Sequence, residues 1–162
     1  FSHVRVRFDI WLDPWKYAET TGYQIIQGLF SIAEGGFFGR GLGLGHPQFI
    51  PLAYNDFIYP AIIEEMGVFM GIAIIMLFMI LVYRGFKIAI RQSDMFLKVL
   101  AFGVSALFGV QSFVILGGVL NVIPLTGITL PFMAYGGTSI LSSFIALGVL
   151  QVASEDIKWE VE

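Results

Sequence analysis

The sequence contains no cysteine. Disulfides and thiolate zinc sites are therefore excluded, and apolar packing must hold the fold. Charge is also scarce. Charged residues are 13% of the chain, against about 25% in a soluble domain. The net charge of −3 gives no basic surface for nucleic acid. The two histidines, His3 and His46, are far apart and show no metal-ligand spacing. No Ser/His/Asp arrangement, dinucleotide fingerprint or P-loop is evident.

What the chain does have is hydrophobic residues, 57% of the total with 16 phenylalanines. Its mean hydropathy is +0.82. These values describe an all-α integral membrane protein. The chain opens at Phe1 on an amphiphilic stretch, Val4 to Trp11, and reads as the C-terminal part of a larger polytopic protein. A small membrane protein that has lost its initiator Met is the other reading. A span needs about 20 apolar residues. Three regions approach that length: 57–83, 99–116 and 139–153. The last is short and must borrow length from the glycine-rich turn before it.

Loop charge sets orientation. The connection from Arg84 to Lys98 holds Arg84, Lys87, Arg91 and Lys98 against Asp94 alone, so it is expected on the cytoplasmic side. Residues 1–56 and 117–138 are then extracytoplasmic, and the tail 154–162 is cytoplasmic and expected to be disordered. Within the outer segment, Tyr23 to Ala33 reads as a helix whose apolar stripe, Ile25, Ile26, Leu29, Phe30 and Ala33, fits a membrane surface. Residues 35–45 are so rich in glycine that they form a loop able to approach another backbone closely. Two readings of it stay open, a flexible loop and a cradle of backbone amides near Arg40.

The run from Asn55 to Gly67 places Asp56, Glu64 and Glu65 at the mouth of the first span. Ionisable groups are expensive to desolvate there and mark function by default. Asp56, or Asn55, is placed to N-cap the span through the amides of Ile58 or Tyr59. The other reading of Asp56 is a general base at the outer surface, and the two can coexist. Adjacent Glu64 and Glu65 point about 100° apart on a helix and cannot share one pocket squarely. They are read as structural or cavity residues, one paired with a cation from spans outside this chain. Gly67 to Gly71 is a GxxxG pattern expected to pack helices. The segment 121–139 is apolar yet rich in Pro, Gly and Thr. Irregular backbone at membrane depth must line a cavity or pack in protein, so it is read as a re-entrant segment beside the site.

Taken in order, these pieces resemble the shape, elongation, division and sporulation (SEDS) family of FtsW/RodA-type polymerases. The matching stretches are Trp11-Leu12-Asp13-Pro14-Trp15, Gly22-Tyr23-Gln24, residues 35–43, Asn55-Asp56-Phe57-Ile58 and Glu64-Glu65-Met66-Gly67. Residues 124–132 and Tyr135-Gly136-Gly137-Thr138-Ser139 complete the series. The Leu-Asp-Pro-Trp stretch looks closer to the FtsW branch. The resemblance implies a bundle of about ten spans, with the last three here, and an activity as peptidoglycan glycosyltransferase on lipid II. It assigns the essential aspartate to Asp56 and places Gln24 along the cavity. Lys16, Arg40, Asn55, Thr126 and Tyr135 are further candidate substrate-binding residues. Arg40, Lys16 or a divalent cation such as magnesium or manganese would serve the leaving diphosphate. The partners implied are membrane lipids and a class B penicillin-binding transpeptidase, and this chain alone is expected to be inactive. A lipid II flippase or a non-catalytic scaffold for the transpeptidase are the competing functions. The clustering of polar groups at one face, near Asp56 and Thr126, favours chemistry over a path through the bilayer.

Overall fold

A computed structural model describes residues 2–159, with the side chains of residues 2, 3 and 156–159 left aside. The described residues form five α-helices and two 3-10 turns, with no strand among them. The helices are α1 (Ser2–Leu12), α2 (Tyr23–Gly35), α3 (Ile58–Arg91), α4 (Met95–Val119) and α5 (Gly137–Trp159). Three are long and apolar enough to cross a membrane: α3, α4 and α5 over Gly137–Glu155. The fold class therefore agrees with the sequence reading.

The spans differ in detail from their expected bounds. Helix α3 continues to Arg91, so Arg84, Lys87 and Arg91 are helical rather than part of a loop. Only residues 92–94 connect α3 to α4. Gln92 makes that tight connection possible, because its buried Nε2 donates to the Ala153 carbonyl at 2.8 Å. Asp94 then caps α4, accepting the Leu97 amide at 2.9 Å. At the other end, α5 does borrow Gly137 and Thr138. It also continues through Trp159, so the tail expected to be disordered is helical that far. Residues 160–162 lie outside the described residues.

Small side chains bring the three long helices together at the α3–α4 turn. Ala89, Ala101, Leu150 and Ala153 form a buried cluster there. Gly85 on α3 faces Ser105 on α4, and a Cβ at Gly85 would collide with that hydroxyl. Close backbone approach through small residues is how helices gain dispersion contacts where lipid removes the hydrophobic drive.

The larger core joins α1, α2, the turn from Ile50 to Phe57, α3 as far as Phe78, the last turns of α4 and Leu130 of the 120–136 loop. Two glycines of α2 set its approach to α3. Gly28 leaves room for the Phe57 ring, which is fully buried, and Gly35 lies against the Ile63 carbonyl. Ile25 and Ile26 of the apolar stripe are buried in this packing, while Tyr23 and Phe30 remain exposed.

Helix α3 is broken. Gly67 has φ 83° and ψ 168°, a conformation essentially reserved for glycine. The break frees carbonyls before it and amides after it, and all must find partners. The glycine loop supplies them. The Arg40 and Gly41 amides donate to the Glu64 and Glu65 carbonyls, both at 2.9 Å. The Val68 and Phe69 amides donate to the Gly36 and Phe37 carbonyls at 2.9 and 3.3 Å. Thus Gly67 does not serve a helix–helix contact as its GxxxG spacing suggested. It ends a short helix, residues 58–66, and starts a long one, residues 68–91. The same bonds occupy the Arg40 and Gly41 amides, so these do not form the anion cradle considered for residues 35–45.

Candidate functional site

Asp56 ends the turn that leads into α3. The turn is fixed from three directions. Phe57 is clamped beneath Gly28. The Gln24 amide donates to the Pro51 carbonyl at 2.7 Å. The Asn55 amide donates to the Leu52 carbonyl at 2.9 Å, closing a tight turn with Leu52 at φ 54°. Asp56 itself is half-buried and makes no hydrogen bond or ion pair with any described residue. In particular, α3 begins without a side-chain cap, so Asp56 is not spent on the amides of Ile58 or Tyr59. Its backbone is held while its carboxylate is left free.

The 120–136 loop closes over this turn. It folds back along α4, where the Gln111 amide donates to the Thr129 carbonyl at 2.9 Å and Phe132 packs on Phe108 at 5.4 Å. Gln111 lies eight residues before Val119, about 12 Å down the helix at 1.5 Å per residue. The segment read as re-entrant therefore does turn back into the bundle. Its far end is tied to the Asp56 turn: the Tyr135 amide donates to the Tyr54 carbonyl at 2.7 Å, and the two rings meet edge-on at 5.7 Å. Its near end passes Asp56 directly. A Cβ at Gly127, which has φ 72°, would sit 3.9 Å from Asp56 Oδ2.

Helix α1 straps the near end down. The Trp11 indole donates to the Asn121 carbonyl at 3.0 Å, and Asn121 Nδ2 returns a bond to the Trp11 carbonyl at 3.5 Å. Arg7 Nη1 donates to the Thr126 carbonyl at 2.8 Å and reaches the Leu125 carbonyl at 3.4 Å. The Thr126 hydroxyl is buried with no partner among the described residues. Among the described residues, three that are not glycine have left-handed φ values: Leu52, Asn121 and Phe132, at 54°, 57° and 65°. All three lie in the two segments that form this cleft. Backbone strain of this kind collects where function over-determines conformation.

A second polar group lies further along α3. Glu64 is 1% exposed, and its Oε1 accepts the His46 amide at 2.6 Å. Arg40 Nη1 sits 3.0 Å from Glu34 Oε2, 3.1 Å from His46 Nδ1 and 3.9 Å from Glu64 Oε1. These residues, with Gln27 and Ser31, line a cavity of about 280 Å³. The cation beside Glu64 is thus Arg40 of this chain. Glu65 is half-buried and lines a different, mainly apolar cavity of about 680 Å³ with Tyr54, Ile58 and Ile62. The two glutamates do face apart, as adjacent helical residues must.

Of the residues the sequence singled out, Asp56, Asn55, Thr126 and Tyr135 are brought together. Gln24 braces the turn from behind. Arg40 is engaged with Glu34, His46 and Glu64, and Lys16 is exposed on the Pro14–Tyr17 turn with no side-chain partner among the described residues. Arg7 and Tyr54 were not singled out. Their roles depend on contacts with residues about 120 and 80 positions away, which no local pattern carries. No group of three His, Asp or Glu side chains suited to a metal occurs among the described residues.

Three apolar spans, a broken helix and a free carboxylate beneath a re-entrant loop define a polytopic membrane protein with a polar site at one end of its bundle. Comparison with known proteins makes the assignment specific. The family model for the FtsW, RodA and SpoVE cell cycle proteins matches residues 2–158, and the chain belongs to this family. It is 49% identical over 150 residues to the peptidoglycan glycosyltransferase RodA of Mycobacterium tuberculosis, covering 93% of this chain and 32% of that protein. The probable peptidoglycan glycosyltransferase FtsW of Bacillus subtilis is 41% identical over 155 residues, covering 94% and 38%. Stage V sporulation protein E of Bacillus subtilis is 39% identical over 146 residues, covering 89% and 40%. The expected leaning towards FtsW on the Leu-Asp-Pro-Trp stretch is not supported, since the mycobacterial RodA is the more similar of these. A chain from a solved peptidoglycan synthase complex that coordinates polymerization and crosslinking superposes with TM-score 0.78 at 28% identity, covering 94% of this chain and 42% of that one. The chain spans about a third of the length of the RodA relatives it matches.

Proposed function

We propose that the full-length protein is a peptidoglycan glycosyltransferase that joins lipid II units into glycan strands at the outer face of the cytoplasmic membrane. The acceptor sugar hydroxyl attacks the donor anomeric carbon. The bond from that carbon to the lipid diphosphate breaks, the diphosphate leaves with the electron pair, and Asp56 takes the hydroxyl proton. The observation that carries this reading is the Asp56 carboxylate, positioned by its backbone yet unpaired, next to Gly127. A general base needs a free oxygen within hydrogen-bond reach of its proton, and geometry comes before pKa.

In this reading Asn55, Thr126 and Tyr135 contact sugar around that oxygen, supported by the loop that carries Thr126 and Tyr135 meeting the Asp56 turn, while Gln24 acts through the turn it braces. Asp56 would be the carboxylate that holds a magnesium or manganese ion here, and the step above does not run through one. The basic α3–α4 end is assigned to the cytoplasm, which puts Asp56, residues 1–56 and residues 117–138 outside. A class B penicillin-binding transpeptidase is the proposed partner, supported by the likeness to a chain of a peptidoglycan synthase complex.

The test is purified full-length protein with its transpeptidase, given labelled lipid II in detergent. Without a bilayer there is nothing to flip, so a ladder of glycan strands supports polymerisation. Absence of a ladder, with transbilayer movement of lipid II in vesicles, would instead establish a flippase.

A further inference from the structure

Resting on that reading, we propose that Arg7 binds the phosphate of the lipid-linked substrate beside Asp56. The leaving diphosphate needs a cation, and four lie on the Asp56 side of the bundle: Arg5, Arg7, Lys16 and Arg40. Arg40 is shared between Glu34 and Glu64. Arg5 and Lys16 are exposed and have no side-chain hydrogen bond or ion pair with a described residue that would hold them at the cleft. Arg7 alone is docked against the loop that passes Asp56.

The docking uses one end of the guanidinium. Nη1 is directed at the Thr126 and Leu125 carbonyls, while Nη2 and Nε bond no described residue. An arginine has five donors in a rigid fork, so a group held by one nitrogen still presents a pair of N–H bonds. That remaining pair suits two phosphate oxygens. Arg7 is exposed, so an incoming headgroup can reach it. It also lies close to the proposed base. Arg7 Nη1 is 2.8 Å from the Thr126 carbonyl, and the next residue, Gly127, faces Asp56 Oδ2. Following the backbone bonds between these contacts, the two charges are at most about 12 Å apart. One glycosyl phosphate can therefore touch both, with the anomeric carbon between them. The Thr126 hydroxyl, at the same point of the loop, is buried with no partner among the described residues.

The experiment compares full-length wild type, Arg7→Gln, Arg7→Lys and the control Arg5→Gln, each with the transpeptidase in neutral detergent free of phospholipid. It measures KM and kcat for lipid II and inhibition by undecaprenyl diphosphate. Losing hydrogen bonds to a charged group is expected to raise KM in Arg7→Gln by roughly 10- to 100-fold and to weaken diphosphate inhibition by a similar factor. Arg7→Lys keeps the charge without the fork, so it should fall between, and it carries the test if the Gln variant does not fold. Arg5→Gln should match wild type. A fall in kcat with unchanged KM and unchanged diphosphate inhibition would make Arg7 a strap for the loop and nothing more. A KM change that occurs only when phosphatidylglycerol is added would assign the guanidinium to bulk lipid headgroups and overturn the proposal. Failure of the wild-type protein to polymerise would refute the glycosyltransferase reading itself, a result distinct from either of these.

Discussion

Replacing Gly67 with alanine should damage this protein more than a typical glycine substitution, and the structure says by how much. The residue has φ 83° and ψ 168°, where a side chain adds about 1–3 kcal/mol of strain. The new Cβ would also collide with the Phe37 carbonyl and the Gly39 amide, so the glycine loop must move away. That loop contributes four hydrogen bonds across the break, from the amides of Arg40, Gly41, Val68 and Phe69. Each is worth about 0.5–1.5 kcal/mol, and loss of two is a conservative expectation. The total is about 2–6 kcal/mol. In a chain of this size, at about 3 °C per kcal/mol, that lowers Tm by roughly 6–18 °C. The matched control is Gly103→Ala on α4, where a Cβ meets nothing within 4 Å and helix propensity is improved. Thermal unfolding of the detergent-solubilised protein measures both. If Gly67→Ala keeps the parent Tm, the break in α3 is not fixed by Gly67 and the stitched-loop account fails.

Glu64→Ala should lower Tm by several degrees, because the His46 amide loses its bond to the buried Glu64 carboxylate at a cost of about 1–3 kcal/mol. Unfolding scans check this, and an unchanged Tm with lost polymerisation would move Glu64 into the chemistry. Arg40→Gln should reduce stability slightly, since its ion pairs are partly solvated, and should leave KM for lipid II within about twofold. A large rise in KM would return Arg40 to the substrate.

Much of this architecture is legible from residues alone. The three spans follow from long apolar runs, and the re-entrant segment follows from Pro, Gly and Thr where neither helix nor exposed loop is tolerable. Asp56 stands out because a carboxylate at a span mouth is costly without a purpose. The failures share a physical origin. The Arg84–Lys98 stretch looked like a loop because its charges interrupt the apolar pattern, yet charged residues propagate a helix well, and Gln92 supplies the tertiary bond that makes a short turn feasible. Gly67 fits a packing motif by spacing, while its conformation depends on a loop about 30 residues earlier. Arg7 becomes significant only because α1 lies against a loop some 120 residues later. Long-range backbone partnerships leave no periodic trace in a sequence.

The most direct test of the account is the rate of glycan polymerisation by full-length Asp56→Asn with its transpeptidase, normalised to folded protein. Removing a general base should slow the reaction by about 10²–10⁴-fold while expression, Tm and lipid II binding stay near the parent values. Strand synthesis at the parent rate would contradict the assignment and leave Asp56 as a structural residue of the turn.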